Sequence, residues 1–310
     1  MITLAKLYIA MRNRVDESRM NCSLRVYLTL LLAVIFVWLW YSAPAVAEIA
    51  ESHWPGWLEI TALYLCSHVL RMLRLVLLTL DRRNNVFPIV TAHALTAFPS
   101  SFLPFKLGEA LRLTSFFHVF ETRQKALAVW LAERFGDLLV ISAFILGLYL
   151  FHINVPLEMR AVFIIFLLIS AIGFAGLFAI AKVFVYLNRH LVLSSLSSRG
   201  LLLLRTSHIL RSLETKIHES LKGRVSGFLL LSMLIWLFEI LALSLFVRLL
   251  SIGKPDFSEL FVSALLASLP IVSQNAFGTY QSLALIAITI VFVLAVWLTT
   301  RFKKNHRILT

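Results

Sequence analysis

The chain has 310 residues, of which 60% are hydrophobic and only 15% charged, and its mean hydropathy is +0.87. Soluble domains are nearer half apolar and a quarter charged, so the apolar surplus must face something other than water. Soluble enzymes, disulfide-rich secreted scaffolds and disordered tails are thereby excluded. Two cysteines, Cys22 and Cys66, make neither a disulfide framework nor a metal cluster. The formal net charge of +13 informs through its placement rather than its size.

In chain order, six apolar runs are long enough to cross a bilayer core as helices: 24–43, 57–80, 126–151, 161–187, 225–250 and 282–300. Membrane strands of about 10 residues do not produce runs of this length. Ala45-Val46-Ala47 resembles a signal-peptidase site. The run before it exceeds the 7–15 residues or so of a signal peptide and ends in Trp38, Trp40 and Tyr41, so it reads as a retained anchor. Two further apolar regions are broken. Residues 86–112 contain Pro88, Pro99, Pro104 and Gly108, and residues 257–281 contain Pro270 and Gly278. Proline removes a backbone donor and interrupts the helical ladder. Such backbone is tolerated at membrane depth only when buried in protein or lining a cavity.

Charge placement selects the topology. With both broken regions as re-entrant hairpins, the N-terminus is cytoplasmic. The inner segments (1–25, 81–85, 113–125, 188–224 and 301–310) then hold 20 Lys and Arg against 2 in the outer segments (44–56, 151–160 and 251–258), a strong positive-inside bias. The expected architecture is an all-α polytopic membrane protein, one membrane domain over residues 1–310. It has six spans and two re-entrant broken hairpins, arranged as an inverted repeat of about 24–151 and 161–300. Interrupted segments in corresponding halves mark the binding site of many transporters. Residues 257–300 must hold both the second hairpin and a crossing, with no polar break between Gln281 and Arg301. In segment 188–224, Ile209, Leu210, Leu213, Ile217 and Leu221 recur at helical spacing against Arg205, His208, Arg211 and Lys216. That pattern suits an in-plane amphipathic helix on an anionic inner leaflet, or a plain basic loop.

Ionisable residues inside spans are costly and mark candidate functional positions. His68, Arg71 and Arg74 follow one another at three-residue intervals. Glu109 and Arg112 lie just past the first hairpin break, Glu133, Arg134 and Asp137 sit two turns into the next span, and Glu239 stands alone in 225–250. Without Glu239 there are four arginines and three carboxylates, which leaves one guanidinium for an anion such as a lipid phosphate. The half-helix starting near Pro104, with Ser100 and Ser101 before it, offers a second anion-favouring feature. Plainer readings stand beside these. Arg71 and Arg74 suit snorkelling, Glu133–Arg134–Asp137 a structural ion-pair knot, His68 and His93 satisfied interior histidines, and Trp236 simple packing. Glu239 suits either a protonated acid bonded to a neighbour or a proton-coupling group.

The run Pro104-Phe105-Lys106-Leu107-Gly108-Glu109-Ala110-Leu111-Arg112 resembles the P-x-[RK]-x-G-E-x-x-R motif of the flippase-like family, also called the lysylphosphatidylglycerol synthase transmembrane region. Glu133-Arg134-Phe135-Gly136-Asp137 is similar to its E-R-x-x-D signature. A third signature, proline followed by G-G-x-G-x-x-E, survives as Pro270 and Gly278, with Ala276 at a glycine position and Gln281 at the glutamate. The resemblance implies a bacterial or archaeal cytoplasmic-membrane protein that moves phospholipids, aminoacylated lipids or lipid-linked glycans between leaflets. Larger relatives carry a soluble aminoacyl-transferase domain. This chain shows none, so it is not expected to be a synthase.

Three functions follow as expectations. In the first, a lipid translocase, Arg71, Arg74, Arg112 and Arg134 hold the headgroup phosphate while Glu109, Glu133, Asp137 and Glu239 orient the arginines or couple transport. The second is a non-transporting partner of a cell-envelope glycosyltransferase or lipid-modifying enzyme. The third, an intramembrane enzyme, lacks an HExxH, a GxSxG or a Walker A sequence to support it. No cofactor or metal is expected, and no nucleic-acid recognition module is present.

Overall fold

The structure, a computed structural model, describes residues 2–102, 107–150, 160–161, 163–168, 170–172, 186, 198–250 and 276–306. All regular structure among these residues is helical. The main helices are α1 (Ile2–Leu78), α2 (Val86–Phe102), α3 (Leu107–Val119), α4 (Arg123–Leu150), α5 (Ser198–Leu221), α6 (Val225–Leu250) and α7 (Ala276–His306), with a 3-10 turn at Leu80–Asn85.

Among the described residues three segments are long and apolar enough to cross a membrane: Leu24–Pro44, Trp54–Leu78 and Val225–Phe246. They coincide with three of the six expected runs. The 28-residue α4 has the length, at about 42 Å, but carries Glu133, Arg134 and Asp137. Residues 161–187 fall largely outside the described set. The segment 44–56, expected as an outer loop, is helical and part of α1.

The described residues pack as two compact units, Met1–Ser52 with Val293–Thr310, and His53–Phe292. In the first, Leu31 and Ile35 are buried one turn apart, while Phe36, Val37, Trp40 and Tyr41 are exposed. A helix this apolar around most of its girth suits a lipid surface. The second unit holds every candidate site residue that the structure describes.

In that second unit α2 packs on α3, α3 on α4, and α4 on both α5 and α6. The first two form a hairpin. Near its closed end Gly108 meets Ser100, and a Cβ on Gly108 would lie 2.2 Å from the Ser100 Cα and 2.4 Å from its Cβ. At the open end, Ile89 of α2, Phe116 of α3 and Phe120 just after it share one core with Leu75, Leu78 and Phe228. Pro88 lies in the first turn of α2, where its missing N–H has no helical partner to lose. Pro99, expected to break the chain, is buried within α2, which continues to Phe102. One lost backbone donor near the end of a helix does not stop it when the surrounding helices hold the turn. Pro104 and Pro270 lie outside the described residues.

Residues 276–281, expected in the second hairpin, are the first turns of α7 and run unbroken into the final apolar stretch. The physical reason is the absence of any proline or charge between Ala276 and Arg301. Gly278 therefore sits within a helix rather than at a break.

The helix expected in 188–224 is present as α5, but its apolar face is partly spent on the protein. Leu213 and Ile217 join the central core, while Arg205, His208, Ile209 and Arg211 are exposed. Ser212 Oγ donates to Gln124 Oε1 at 2.9 Å. Lys125 Nζ donates to Ser220 Oγ at 2.8 Å and to Asp81 Oδ2 at 3.0 Å. Arg224 donates to the carbonyl of Leu77 at 3.1 Å. Partial burial favours the neutral Asp81 carboxyl, but the bond and charge of Lys125, its own backbone bond and Arg224 outweigh it and hold its pKa below the ordinary value. Gly223, at φ +73°, closes the turn into α6 in the left-handed region that glycine adopts without strain.

The Gly108 contact yields a paired test. Gly108→Ala should destabilise the protein by about 1–3 kcal/mol, because backbone atoms of Ser100 occupy the new methyl's space. Gly227→Ala, whose nearest neighbour is Leu77 Cδ2 at 3.5 Å, should cost nothing measurable. Thermal unfolding of the purified protein in detergent reads both, and equal stability of the two variants would contradict the packing described.

Candidate functional site

Arg74 is the centre of a buried charged cluster. It sits on α1, fully buried, between two carboxylates of α4. Its Nη1 donates to Asp137 Oδ1 at 2.6 Å and contacts Ser232 Oγ of α6 at 2.9 Å. Its Nη2 donates to Glu133 Oε1 at 3.2 Å and Asp137 Oδ2 at 3.3 Å. The guanidinium also lies 5.8 Å from the centre of the Phe228 ring, within the range of a cation–π contact. Glu133 and Asp137 reach one arginine together because four residues are one turn of α4.

Glu133 is shared. Arg112 of α3 donates from Nη2 to both of its oxygens, at 2.7 and 2.9 Å, and stacks 5.5 Å over Phe116. Asp137 is shared as well, by Arg71 at 3.7 Å, Arg134 at 3.8 Å and the Trp236 indole N–H at 3.3 Å. Arg134 faces Glu109 at 3.5 Å, and Glu109 also accepts from Trp130 Nε1 at 3.0 Å. Gly136 lets α6 approach this face of α4. A Cβ there would lie 2.5 Å from the Phe228 ring and 2.9 Å from Ser232 Oγ.

Glu239 is not alone. Arg71 donates to its Oε1 from Nε at 3.2 Å and also from Nη2, and Ser67 Oγ adds a contact at 3.3 Å. Counting it, among the described residues four arginines from three helices meet four carboxylates from three helices, and their formal charges sum to zero. The expected spare guanidinium is therefore matched, because Glu239 reaches across from α6 to α1, 168 residues away in sequence. Arg71 and Arg74 do not snorkel; both are engaged by carboxylates.

Ser67, Trp130 and Ser232 were not singled out from the sequence, and Trp236, expected as simple packing, also donates to Asp137. Their signal was positional. Phe228, Ser232, Trp236 and Glu239 lie at four-, four- and three-residue intervals on one face of α6, the face that meets α1 and α4. Trp130 stands one turn before Glu133 and Arg134. His68 and His93 are buried as expected, yet no described residue hydrogen-bonds either ring.

The pairs differ in how tightly they are held. The Arg74 and Glu133 side chains are fully buried, whereas those of Arg134 and Glu109 are 33% and 27% exposed and sit 3.5 Å apart. Removing one partner of a buried pair costs about 3–5 kcal/mol; loosening a partly exposed one costs under about 1 kcal/mol. Arg74→Met should therefore abolish or severely reduce folded protein, while Arg134→Met stays close to wild type in thermal unfolding. Similar losses from the two would contradict this ranking.

Neither a curated protein nor a solved structure matches the chain. The family model for the lysylphosphatidylglycerol synthase TM region matches residues 26–280, a stretch that contains all eight charged residues of the cluster. Membrane-crossing helices and a match over most of the chain agree, and the protein is a member of the lysylphosphatidylglycerol synthase TM region family.

Proposed function

We propose that this protein is a lipid translocase of a bacterial or archaeal cytoplasmic membrane, with its N-terminus in the cytoplasm. It moves an anionic phospholipid or lipid-linked glycan carrier between leaflets. The family places it among membrane proteins tied to lipid or cell-envelope function. The observation that carries the finer reading is the loose Arg134–Glu109 pair at the edge of an otherwise tightly bonded arginine cluster.

Because the cluster is neutral, an anionic headgroup enters by exchange rather than by filling a charge deficit. The phosphate displaces the Glu109 carboxylate from Arg134, and Trp130 holds the displaced carboxylate nearby. Arg112, one turn along α3 from Glu109, adds a second positive charge to the same opening. Arg74, Glu133 and Asp137 serve as the rigid base that keeps these groups in register. An arginine fork suits a phosphate, and the returning carboxylate keeps the bound state from becoming a trap. No catalytic role is assigned, since each carboxylate of the cluster is engaged by an arginine.

The hairpin of α2 and α3 supports a re-entrant reading. Its arms measure about 25 and 20 Å, shorter than the roughly 30 Å hydrocarbon core. In the full scheme it is the inner hairpin of an inverted repeat with six spans. The basic residues of α5 rest on the anionic inner leaflet. Transport draws on an ion gradient, the membrane potential or the lipid gradient.

One observation favours a second reading. The fully buried Arg74–Glu133–Asp137 knot is what a rigid scaffold for a cell-envelope enzyme would also need. The two readings part at Arg134. In proteoliposomes containing a headgroup-labelled anionic lipid, Arg134→Gln should slow exchange between leaflets at least tenfold, with its thermal stability unchanged. Exchange at the wild-type rate, or none above empty liposomes for wild type, would count against translocation.

A further inference from the structure

Two histidines stand outside the charged cluster and beside it. His68 lies on α1, one turn before Arg71, and His93 lies on α2. Both are more than nine-tenths buried, at 7% and 2% exposure. None of their four ring nitrogens finds a hydrogen-bond partner among the described residues. Their rings are 6.0 Å apart, centre to centre, tilted by 35°, and Tyr64 packs its edge against His68 at 4.9 Å. The charges of Arg71 and Arg112 act on His68, and those of Arg112, Arg71 and Arg134 on His93, so the pair borders the arginine site.

Buried polar atoms in folded proteins are almost always bonded to something, so four unbonded nitrogens on two neighbouring rings call for an occupant that enters as the rings part. The spacing says what kind. Two imidazoles bonded directly to each other have centres about 5 Å apart. An oxygen bonded to one nitrogen of each ring lies about 4 Å from both centres, and two such arms spanning 6.0 Å meet at the oxygen at about 100°. That is close to the natural angle at a hydroxyl. A neutral imidazole offers one donor and one acceptor, which matches a group that both accepts and donates, and leaves a further donor and acceptor for a second hydroxyl.

We infer that His68 and His93 form a subsite for the neutral, hydroxyl-bearing part of the headgroup whose phosphate lies at the arginines. This rests on the anion site proposed above and extends it from charge to chemistry. The pair selects polyol or sugar headgroups over anionic lipids that lack hydroxyls. The imidazoles are positioning groups for the ligand, with no bond made or broken.

The test compares two short-chain lipids of equal charge. Dioctanoyl phosphatidylglycerol carries two headgroup hydroxyls; dioctanoyl phosphatidylmethanol carries none. Equilibrium binding to the purified full chain in detergent should favour the glycerol lipid by about 5- to 10-fold, in line with one or two hydrogen bonds. In His68→Phe/His93→Phe that preference should vanish while affinity for phosphatidylmethanol stays within about 2-fold, because phenylalanine fills the ring volume without the nitrogens. Equal affinities in the wild type, or a preference retained in the double variant, would overturn the inference, with ordered water as the shared occupant. If the double variant binds neither lipid, the single variants decide: a preference intact in both overturns it, and a reduced preference in either supports it. If wild type binds neither lipid, the anion-site reading fails, and this inference with it.

Discussion

The guanidinium of Arg74, buried without solvent contact and bonded to carboxylates from the neighbouring helix, is the constraint on which the rest of the second unit depends. A lone cation there would be too costly to keep. With Glu133 and Asp137 it becomes a fixed point that α1, α4 and α6 must approach together. Two glycines make room for that approach: Gly136 where α6 brings Phe228 and Ser232 against α4, and Gly108 where the hairpin closes on Ser100. Apolar packing around Leu75, Phe116, Val129 and Phe228 then surrounds the bonded charges. Within lipid or protein of low dielectric, such pairs specify register as much as they stabilise.

From that rigid centre outwards the cluster loosens. Glu133 is bonded by two arginines at hydrogen-bond distances, Asp137 is reached by Arg71 and Arg134 at longer range, and the Arg134–Glu109 pair is partly exposed. In the translocase reading proposed above, this gradient from fixed to exchangeable pairs is what would let an anion bind and leave. A cluster of uniformly tight pairs would act as a pin, and one with a large positive excess would hold an anionic lipid too long.

Much of this was legible in the residues because charge inside an apolar run is expensive and therefore informative. Arg71, Arg74, Glu133 and Asp137 stood out on that ground, and helical spacing placed the two carboxylates on one face. Gly108, Glu109 and Arg112 stood out beside the proline-rich break. What spacing could not supply was the pairing between distant helices. Glu239 looked solitary because its partner is on α1, and the neutral hydroxyls and indoles of Ser67, Ser232, Trp130 and Trp236 carry no charge to mark them. Backbone continuity was misjudged at three places: Pro99 lies within α2, residues 44–56, expected as an outer segment, lie within α1, and residues 276–281 join α7 because no proline or charge interrupts them. Proline weakens a helix locally, but neighbouring helices decide whether it ends.

The most direct test of exchange at a neutral site is the effect of removing the displaceable counterion. Equilibrium binding of dioctanoyl phosphatidylmethanol should be compared between wild type and Glu109→Gln, which preserves the shape of the side chain and abolishes its charge. The account predicts that the variant binds the anion at least about tenfold more tightly, roughly 1.4 kcal/mol, because the guanidinium of Arg134 loses its nearer carboxylate and keeps only Asp137 at 3.8 Å. Unchanged or weaker binding in Glu109→Gln would contradict it.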